Sequence, residues 1–418
     1  MNAVAPDLLR RRLLQGAGGS LLAASALGAA GAQTRVPERA SGQPMPELAR
    51  PLPAGPQRRL GWAVVGLGNF ALNQMLPSFA DSKHARLVAL VSGNRDKARE
   101  VAGHYGVEDD NIYGYDDFDR IAENDAIDVV YIVLPPALHA DYTIRALEAG
   151  KHVLCEKPMA PTVAECDAMI EAADRAGRKL MIAYRAQYQA HNLEAIRMIQ
   201  DGELGALKYI TSAHSRNTNP EEPADQWRLQ KEMAGGGSLF DIGIYSLNAA
   251  RYLSGEEPVR ISASIHSDAS DPRFREVEDL VLFRLEFPSG VIANCSSGFS
   301  TASMNRATAV GADAVLTMEP ATDYYRHSLS VSSKDGTREL GLREDNQFAQ
   351  EIDHLCECIR ADTTPKTPGA EGRQDVRLML AIYEAARSGR TMPFESDYRR
   401  SREELLRGYA IVEALKQA

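Results

Sequence analysis

An apolar run, Leu60-Gly61-Trp62-Ala63-Val64-Val65, passes directly into Gly66-Leu67-Gly68-Asn69-Phe70-Ala71, and a helix-like segment follows as far as Phe79. Unbroken hydrophobicity of this kind suits a strand buried on both faces of a parallel sheet. Gly66 permits a tight turn, Gly68 lets the backbone approach a pyrophosphate, and Ala71 allows the helix to pack closely on the strand. The pyrophosphate charge meets the helix N-terminus, where unpaired N–H groups point outward. G-x-G-x-x-A alone is a weak signal; set between a strand and a helix it is a strong sign of a dinucleotide site.

The alternation continues. Arg86 to Val91, Asp128 to Pro136, Lys151 to Cys155 and Lys179 to Ala183 read as further buried strands, with a helix from Leu138 to Ala149 between two of them. Strands alternating with helices predict an α/β fold with an N-terminal doubly wound Rossmann domain. Ligands bind at the carboxyl ends of such strands. Ser92, Leu134 and Lys157 therefore face one crevice. An NAD site usually places an acid at the end of the second strand for the ribose 2′-hydroxyl. Here that strand ends in Ser92-Gly93-Asn94-Arg95-Asp96-Lys97. Uncharged Ser92 and basic Arg95 and Lys97 suit a 2′-phosphate, so the expected cofactor is NADP.

Beyond residue 253 the pattern changes. Asp241 to Leu253 reads as a helix. Val259 to His266, Leu280 to Phe287, Val291 to Ser297, Arg306 to Val310, Ala314 to Met318 and Ser328 to Ser333 follow as strands without intervening helices. Ser289-Gly290 marks a hairpin between two of them. The second domain is expected to be α+β, with a large, mostly antiparallel open sheet. A helix covers one face, and a second copy of the chain, in a homodimer or homotetramer, covers the other. Helices Gln347 to Arg360 and Gln374 to Ser388 close the chain.

At 418 residues the chain exceeds one ordinary domain. The expected division is a leader at 1–32, a proline-rich arm at 33–59, a dinucleotide domain at 60–183, a substrate and oligomerisation domain at 184–393, and a tail at 394–418. The leader has Arg10-Arg11-Arg12, an uncharged apolar run from Leu21 to Ala30, and Ala30-Gly31-Ala32 as a cleavage site. That pattern is a twin-arginine export signal, implying a periplasmic protein exported folded. The run is too short for a membrane anchor. A net charge of −10 argues against nucleic acid as a partner. Cys155, Cys166, Cys295, Cys356 and Cys358 form neither a disulfide framework nor a metal set, and read as packing residues.

Glu156-Lys157-Pro158, Ala183-Tyr184-Arg185 and the run Gly235 to Tyr245 (GGGSLFDIGIY), together with the glycine loop, resemble the Gfo/Idh/MocA oxidoreductase family. Gln226-Trp227-Arg228-Leu229, Asp241 to Asn248, Arg251-Tyr252-Leu253 and Ala381 to Arg387 are similar to its glucose–fructose oxidoreductase branch. The resemblance runs from Leu60 to about Pro393, and Arg399 to Gln417 lie outside it. Many members carry Asp-x-Gly-x-His followed by an acid; here Tyr245 replaces the histidine and Asn248 the acid. In the glucose–fructose branch a tyrosine is the acid/base.

The resemblance implies a sugar oxidoreductase with a tightly held NADP. An aldose becomes a lactone, and a ketose or second aldose becomes a polyol. The alternatives are an aldose dehydrogenase with exchangeable cofactor and a non-catalytic NADP-binding sensor. Tyr245 is the expected proton carrier, with Lys157 lowering its pKa or hydrogen-bonding the sugar hydroxyl directly. Asp241, four residues earlier on the same helical face, is expected to bind sugar hydroxyls or hold Lys157. Arg185 is expected near the nicotinamide or a phosphate, and Trp227 and Arg228 along the crevice. Tyr115, Leu134, Pro135, His139, Glu156, Lys157 and Tyr324 complete the expected cofactor set. No metal is expected.

Overall fold

The computed structural model describes residues 58–416. The predicted leader and, apart from Arg58 and Arg59, the predicted arm lie outside the described residues.

Six strands form the first sheet: β1 (Leu60–Val65), β2 (Ala85–Val91), β3 (Ile112–Tyr113), β4 (Val129–Ile132), β5 (His152–Glu156) and β6 (Leu180–Ala183). Their order is β3-β2-β1-β4-β5-β6 and all pairs are parallel. This is the doubly wound dinucleotide-binding order, with the reversal between β1 and β4. β1 sits at the centre. Trp62, Ala63, Val64 and Val65 are all fully buried. Trp62 packs edge-on against Phe79 and Tyr131, with ring centroids 5.8 and 6.3 Å away. Helices Arg95–Tyr105, His139–Glu148 and Val163–Ala176 cover the sheet. Asn94 caps the first of them by accepting from the Lys97 N–H, and Thr162 caps the third by accepting from Glu165.

The second sheet has nine strands: β7 (Leu207–Asn217), β8 (Arg260–His266), β9 (Leu280–Glu286), β10 (Ile292–Gly298), β11 (Ser300–Gly311), β12 (Ala314–Met318), β13 (Leu329–Ser333), β14 (Gly336–Glu339) and β15 (Met392–Pro393). The order is β14-β13-β12-β11-β7-β10-β9-β8-β15. It is antiparallel except where β7 runs parallel to β10. The predicted strands are present, but β7, which is central, and the short edge strands β14 and β15 are not among them. The β7 sequence, LKYITSAHSRN, lacks a sustained apolar run because half of it lines a polar crevice.

Helix Ile244–Ser254 and helix Gly369–Ser388 cover one face of this sheet. Register places Tyr209, Leu282 and Met304 together on the opposite face, where each is exposed by 44% or more. The segment after Pro393 packs back onto the molecule. Arg400 donates to Gln187 Oε1 at 2.7 Å, and Val412 and Leu415 pack with Leu193. All five cysteines are buried and free, as packing residues should be. Among the described residues, no helix is long and apolar enough to cross a membrane.

Candidate active site

The glycine loop is shaped for close approach. Gly66 has φ of 97°, and a Cβ there would stand 2.3 Å from the Val133 carbonyl oxygen and 2.9 Å from Leu134 Cδ2. Only glycine fits between β1 and the end of β4 in that conformation. A Cβ on Gly68 would meet nothing within 4 Å, so the backbone there borders open space. Leu67 and Ala71 are buried behind it. Asn69 leads into the helical segment Ala71–Met75, and the Leu72 N–H donates to the Gly68 carbonyl. This cradle fits a dinucleotide pyrophosphate.

The end of β2 completes the adenosine side. Ser92 is buried and its Oγ accepts from the Asn94 N–H at 3.2 Å. Gly93 and Arg95 are exposed, and Arg95 has no partner among the described residues. Lys97 is committed instead: its ammonium donates to the Leu67 carbonyl at 2.5 Å. Tyr115 joins an aromatic group with Tyr142 and Phe118 behind this end of the sheet.

At the carboxyl end of β5, three residues converge from different elements. Lys157 follows β5 directly. Asp241 and Tyr245 lie one turn apart, on the helical segment Leu239–Gly243 and the helix Ile244–Ser254 that continues it. Lys157 Nζ donates to the Asp241 backbone carbonyl at 2.6 Å and stands 3.9 Å from its carboxylate. It also lies over the Tyr245 ring, 4.6 Å from the centroid. The Arg228 Nε donates to Asp241 Oδ2 at 3.0 Å, and Arg216 reaches the same oxygen at 3.4 Å. Burial disfavours the Asp241 carboxylate, but Arg228, Lys157 and Arg216 overcome it and hold its pKa well below the usual range. Asp241 is therefore a fixed anion and not a proton carrier. Burial pushes the Tyr245 hydroxyl up, and the strongest opposing influence is the Arg185 charge. The Lys157 ammonium is pushed down by burial, against the attraction of Asp241 and Glu156.

Residues 60–184 match the family described as "Oxidoreductase family, NAD-binding Rossmann fold", and residues 192–317 match the GFO/IDH/MocA C-terminal domain. The D-xylose 1-dehydrogenase [NADP(+)] of Haloarcula marismortui is 32% identical over 338 residues, 79% of this chain and 92% of that protein. The chain belongs to the Gfo/Idh/MocA oxidoreductase family. A solved structure, the aldose-aldose oxidoreductase of Caulobacter crescentus complexed with glycerol, is 46% identical with a TM-score of 0.78, over 81% of this chain and all of that one. The dTDP-3,4-didehydro-2,6-dideoxy-alpha-D-glucose 3-reductase of Streptomyces violaceoruber is 32% identical over 72% of this chain and 86% of that protein.

Within this Gfo/Idh/MocA frame, several expected cofactor residues have their side chains spent elsewhere. His139 is fully buried, its two ring nitrogens 2.9 and 2.7 Å from the Pro158 and Leu134 carbonyls. It thereby ties Leu134 and Pro135 to the segment that carries Lys157. Glu156 accepts from the Tyr131 hydroxyl at 2.5 Å within the core. Arg185 was expected at the nicotinamide or a phosphate. Its guanidinium donates instead to the Asp323 and Thr322 carbonyls, at 3.0 and 2.7 Å, and to Gln347 Oε1 at 3.0 Å. Its Cζ lies 4.5 Å from the Tyr324 centroid and 4.9 Å from that of Tyr245. Arg185 is thus the post on which Tyr324 and Tyr245 are mounted. The Tyr324 ring in turn reaches Phe70 of the glycine loop, 6.0 Å away. Trp227 stacks on its neighbour Arg228 at 4.3 Å.

Two site residues went unread in the sequence, and both lie on β7. His214 stacks on Tyr245, with ring centroids 5.1 Å apart and planes at 30°. Arg216 pairs with Asp225 at 2.8 and 3.0 Å as well as reaching Asp241. Their i, i+2 spacing puts both on the crevice face, but a strand that went unrecognised carried no such signal. Asn248, in place of the family's acid, turns from the crevice toward Gln187 and Asp375.

Proposed function

We propose that this protein is an NADP-dependent sugar oxidoreductase that oxidises an aldose to its lactone, and returns the hydride and proton to a ketose or second aldose as a polyol, on a cofactor it does not release. The observation that carries this is the Lys157–Asp241–Tyr245 cluster at the carboxyl end of β5, beside the dinucleotide cradle. The named activities of the xylose dehydrogenase and the aldose-aldose oxidoreductase support a sugar at that site.

The glycine loop from Gly66 to Ala71 holds the pyrophosphate, and Ser92, Gly93, Asn94 and Arg95 receive the ribose 2′-phosphate. NADP supplies the hydride acceptor in one half of the cycle and the donor in the other. In the oxidative half the Tyr245 oxygen takes the proton of the aldose C1 hydroxyl as the C1 hydrogen departs with its electron pair. Burial raises the Tyr245 pKa, and Arg185 is the charge that most opposes that rise. Lys157, anchored on the Asp241 carbonyl, donates to the same sugar oxygen and steadies the charge that develops there. Asp241, pinned by Arg228 and Arg216, orients Lys157. In the reductive half Tyr245 returns the proton to the carbonyl oxygen of the acceptor. One group serves both directions, so no proton has to cross to solvent.

We also place the protein in the periplasm as an oligomer, with a second copy of the chain on the sheet face bearing Tyr209, Leu282 and Met304. A cofactor retained through both half-reactions suits a compartment poor in free nucleotide.

The test is the absorbance of full-length protein purified without added nucleotide. Adding D-glucose alone is expected to raise the reduced-nicotinamide band, and D-fructose to erase it. Protein that contains NADP but shows no band with any aldose overturns the reading. A cofactor lost on dialysis supports an exchanging aldose dehydrogenase instead.

A further inference from the structure

His214 takes no part in the proton transfer above. Burial, with the positive charges of Arg185 and Lys157 beside it, pushes its pKa down to about 3, so the ring is neutral. Its tautomer follows from its neighbours. Asn305 Oδ1 accepts from the backbone N–H groups of Ala321 at 3.2 Å and Thr322 at 2.9 Å, which identifies that atom as the carbonyl oxygen. The Thr322 hydroxyl donates to the same oxygen at 3.0 Å. Its one proton is spent there. Toward His214 Nδ1, 3.2 Å away, the Thr322 oxygen can only accept. Nδ1 therefore carries the proton of the neutral ring, and Nε2 bears a lone pair. Nε2 has no hydrogen-bond partner among the described residues. The imidazole is half-buried, stacked on the residue that exchanges the substrate's proton.

A lone pair in that position repels a carbonyl or carboxylate oxygen and is satisfied by a hydroxyl hydrogen. We infer that His214 is a sugar-binding residue whose Nε2 accepts a hydrogen bond from a substrate hydroxyl near the reacting carbon, selecting sugars by the presence and configuration of that hydroxyl. The inference rests on the sugar oxidoreductase reading. The chain Asn305–Thr322–His214 is the device that presents an acceptor. Lys157 and Arg228 can only donate, the Tyr245 oxygen is engaged with the reacting hydroxyl and Asp241 is pinned by Arg228 and Arg216, so His214 supplies a free acceptor for a second hydroxyl.

The experiment uses the full chain with its own NADP. Reduction of the bound cofactor is followed with D-glucose and with its 2-deoxy, 3-deoxy and 4-deoxy analogues. In the parent protein one analogue is expected to lose about 10-fold or more in kcat/KM, the scale of a buried hydrogen bond left unmade. His214→Phe keeps an aromatic ring against Tyr245 and removes the acceptor. It is expected to raise KM for D-glucose by about 10-fold, change kcat little, and no longer tell that analogue from glucose. Thr322→Val frees the other tautomer and is expected to raise KM in the same direction, which keeps the test usable if His214→Phe does not fold. A His214→Phe protein that matches the parent on every sugar, or a parent indifferent to all three deoxy positions, overturns the inference. A parent in which no aldose reduces the bound NADP overturns the proposed function, and the role of His214 with it.

Discussion

The Lys157 ammonium stands over the face of the Tyr245 ring, 4.6 Å from its centroid, and is held there by the Asp241 backbone carbonyl. A cation over the ring face stabilises the aromatic system, whereas the group that most favours the phenolate is Arg185. The sequence expectation gives Lys157 that second task or a direct hydrogen bond to the sugar hydroxyl. In the proposed mechanism the work is divided: Arg185 opposes the burial that raises the tyrosine, and Lys157 acts on the substrate oxygen.

Tyr245→Phe removes one hydroxyl and keeps the stack on His214. Cofactor content and melting temperature are expected to stay near the parental values. Single-turnover reduction of bound NADP by an aldose is expected to slow by roughly 10²- to 10⁴-fold, the scale of general acid/base catalysis. Reduction at the parental rate would assign the proton to another group.

Ser92→Asp places a carboxylate at the buried end of β2, where the ribose 2′-position is expected. It repels a 2′-phosphate and accepts from a 2′-hydroxyl. Nucleotide extracted from the purified variant is expected to shift from NADP toward NAD. An unchanged ratio would put the 2′-phosphate elsewhere.

Gly66→Ala forces a Cβ to within 2.3 Å of the Val133 carbonyl at a φ of 97°. The strand end must shift, and the cradle with it. Cofactor content is expected to fall sharply and stability by about 1–3 kcal/mol, the usual cost of backbone strain. Full NADP occupancy by extraction would contradict the proposed use of this loop.

Arg251 is fully buried and pairs with Glu257, Glu371 and Asp375 at 2.7, 3.0 and 2.5 Å. Arg251→Met leaves these acids without their central cation, an expected loss of about 3–5 kcal/mol. Asn248, one turn beyond Tyr245, donates to Asp375, so the catalytic helix loosens too. Urea denaturation monitored by fluorescence gives the magnitude, and a loss under about 1 kcal/mol would show that the acids are neutral without it.

His152, His191, His214 and His354 are held neutral in the fold, their pKa values pushed down by burial to about 4, 4, 3 and 3. In the unfolded chain each titrates near ~6.5. Above that value neither state binds the proton and the full stability is present. As the pH falls from ~6.5 toward ~4 the unfolded chain gains protons that the folded chain refuses, so stability drops. The urea midpoint is expected to decline steadily over that window. A flat midpoint would mean that these rings already bind protons in the fold.

The doubly wound class of the first sheet and its glycine loop were legible in the chain, whereas the pairing of Lys157 with Tyr245 came from the family resemblance. Strands buried on both faces must be apolar throughout, and a loop against a pyrophosphate must be glycine, so each leaves a local mark. β7 left none, because its crevice face is polar and its register is set by β10 and β11. The directions of the side chains were equally illegible. Arg185 and His139 have the residue types of ligand-binding groups, and only the fold decides that their hydrogen bonds go to the Thr322, Asp323, Leu134 and Pro158 carbonyls. A sequence determines which groups can donate and accept. Which partner each one finds, as with His214 and its fixed tautomer, depends on segments far apart in the chain being brought within three ångströms or so, and that is the work of tertiary packing.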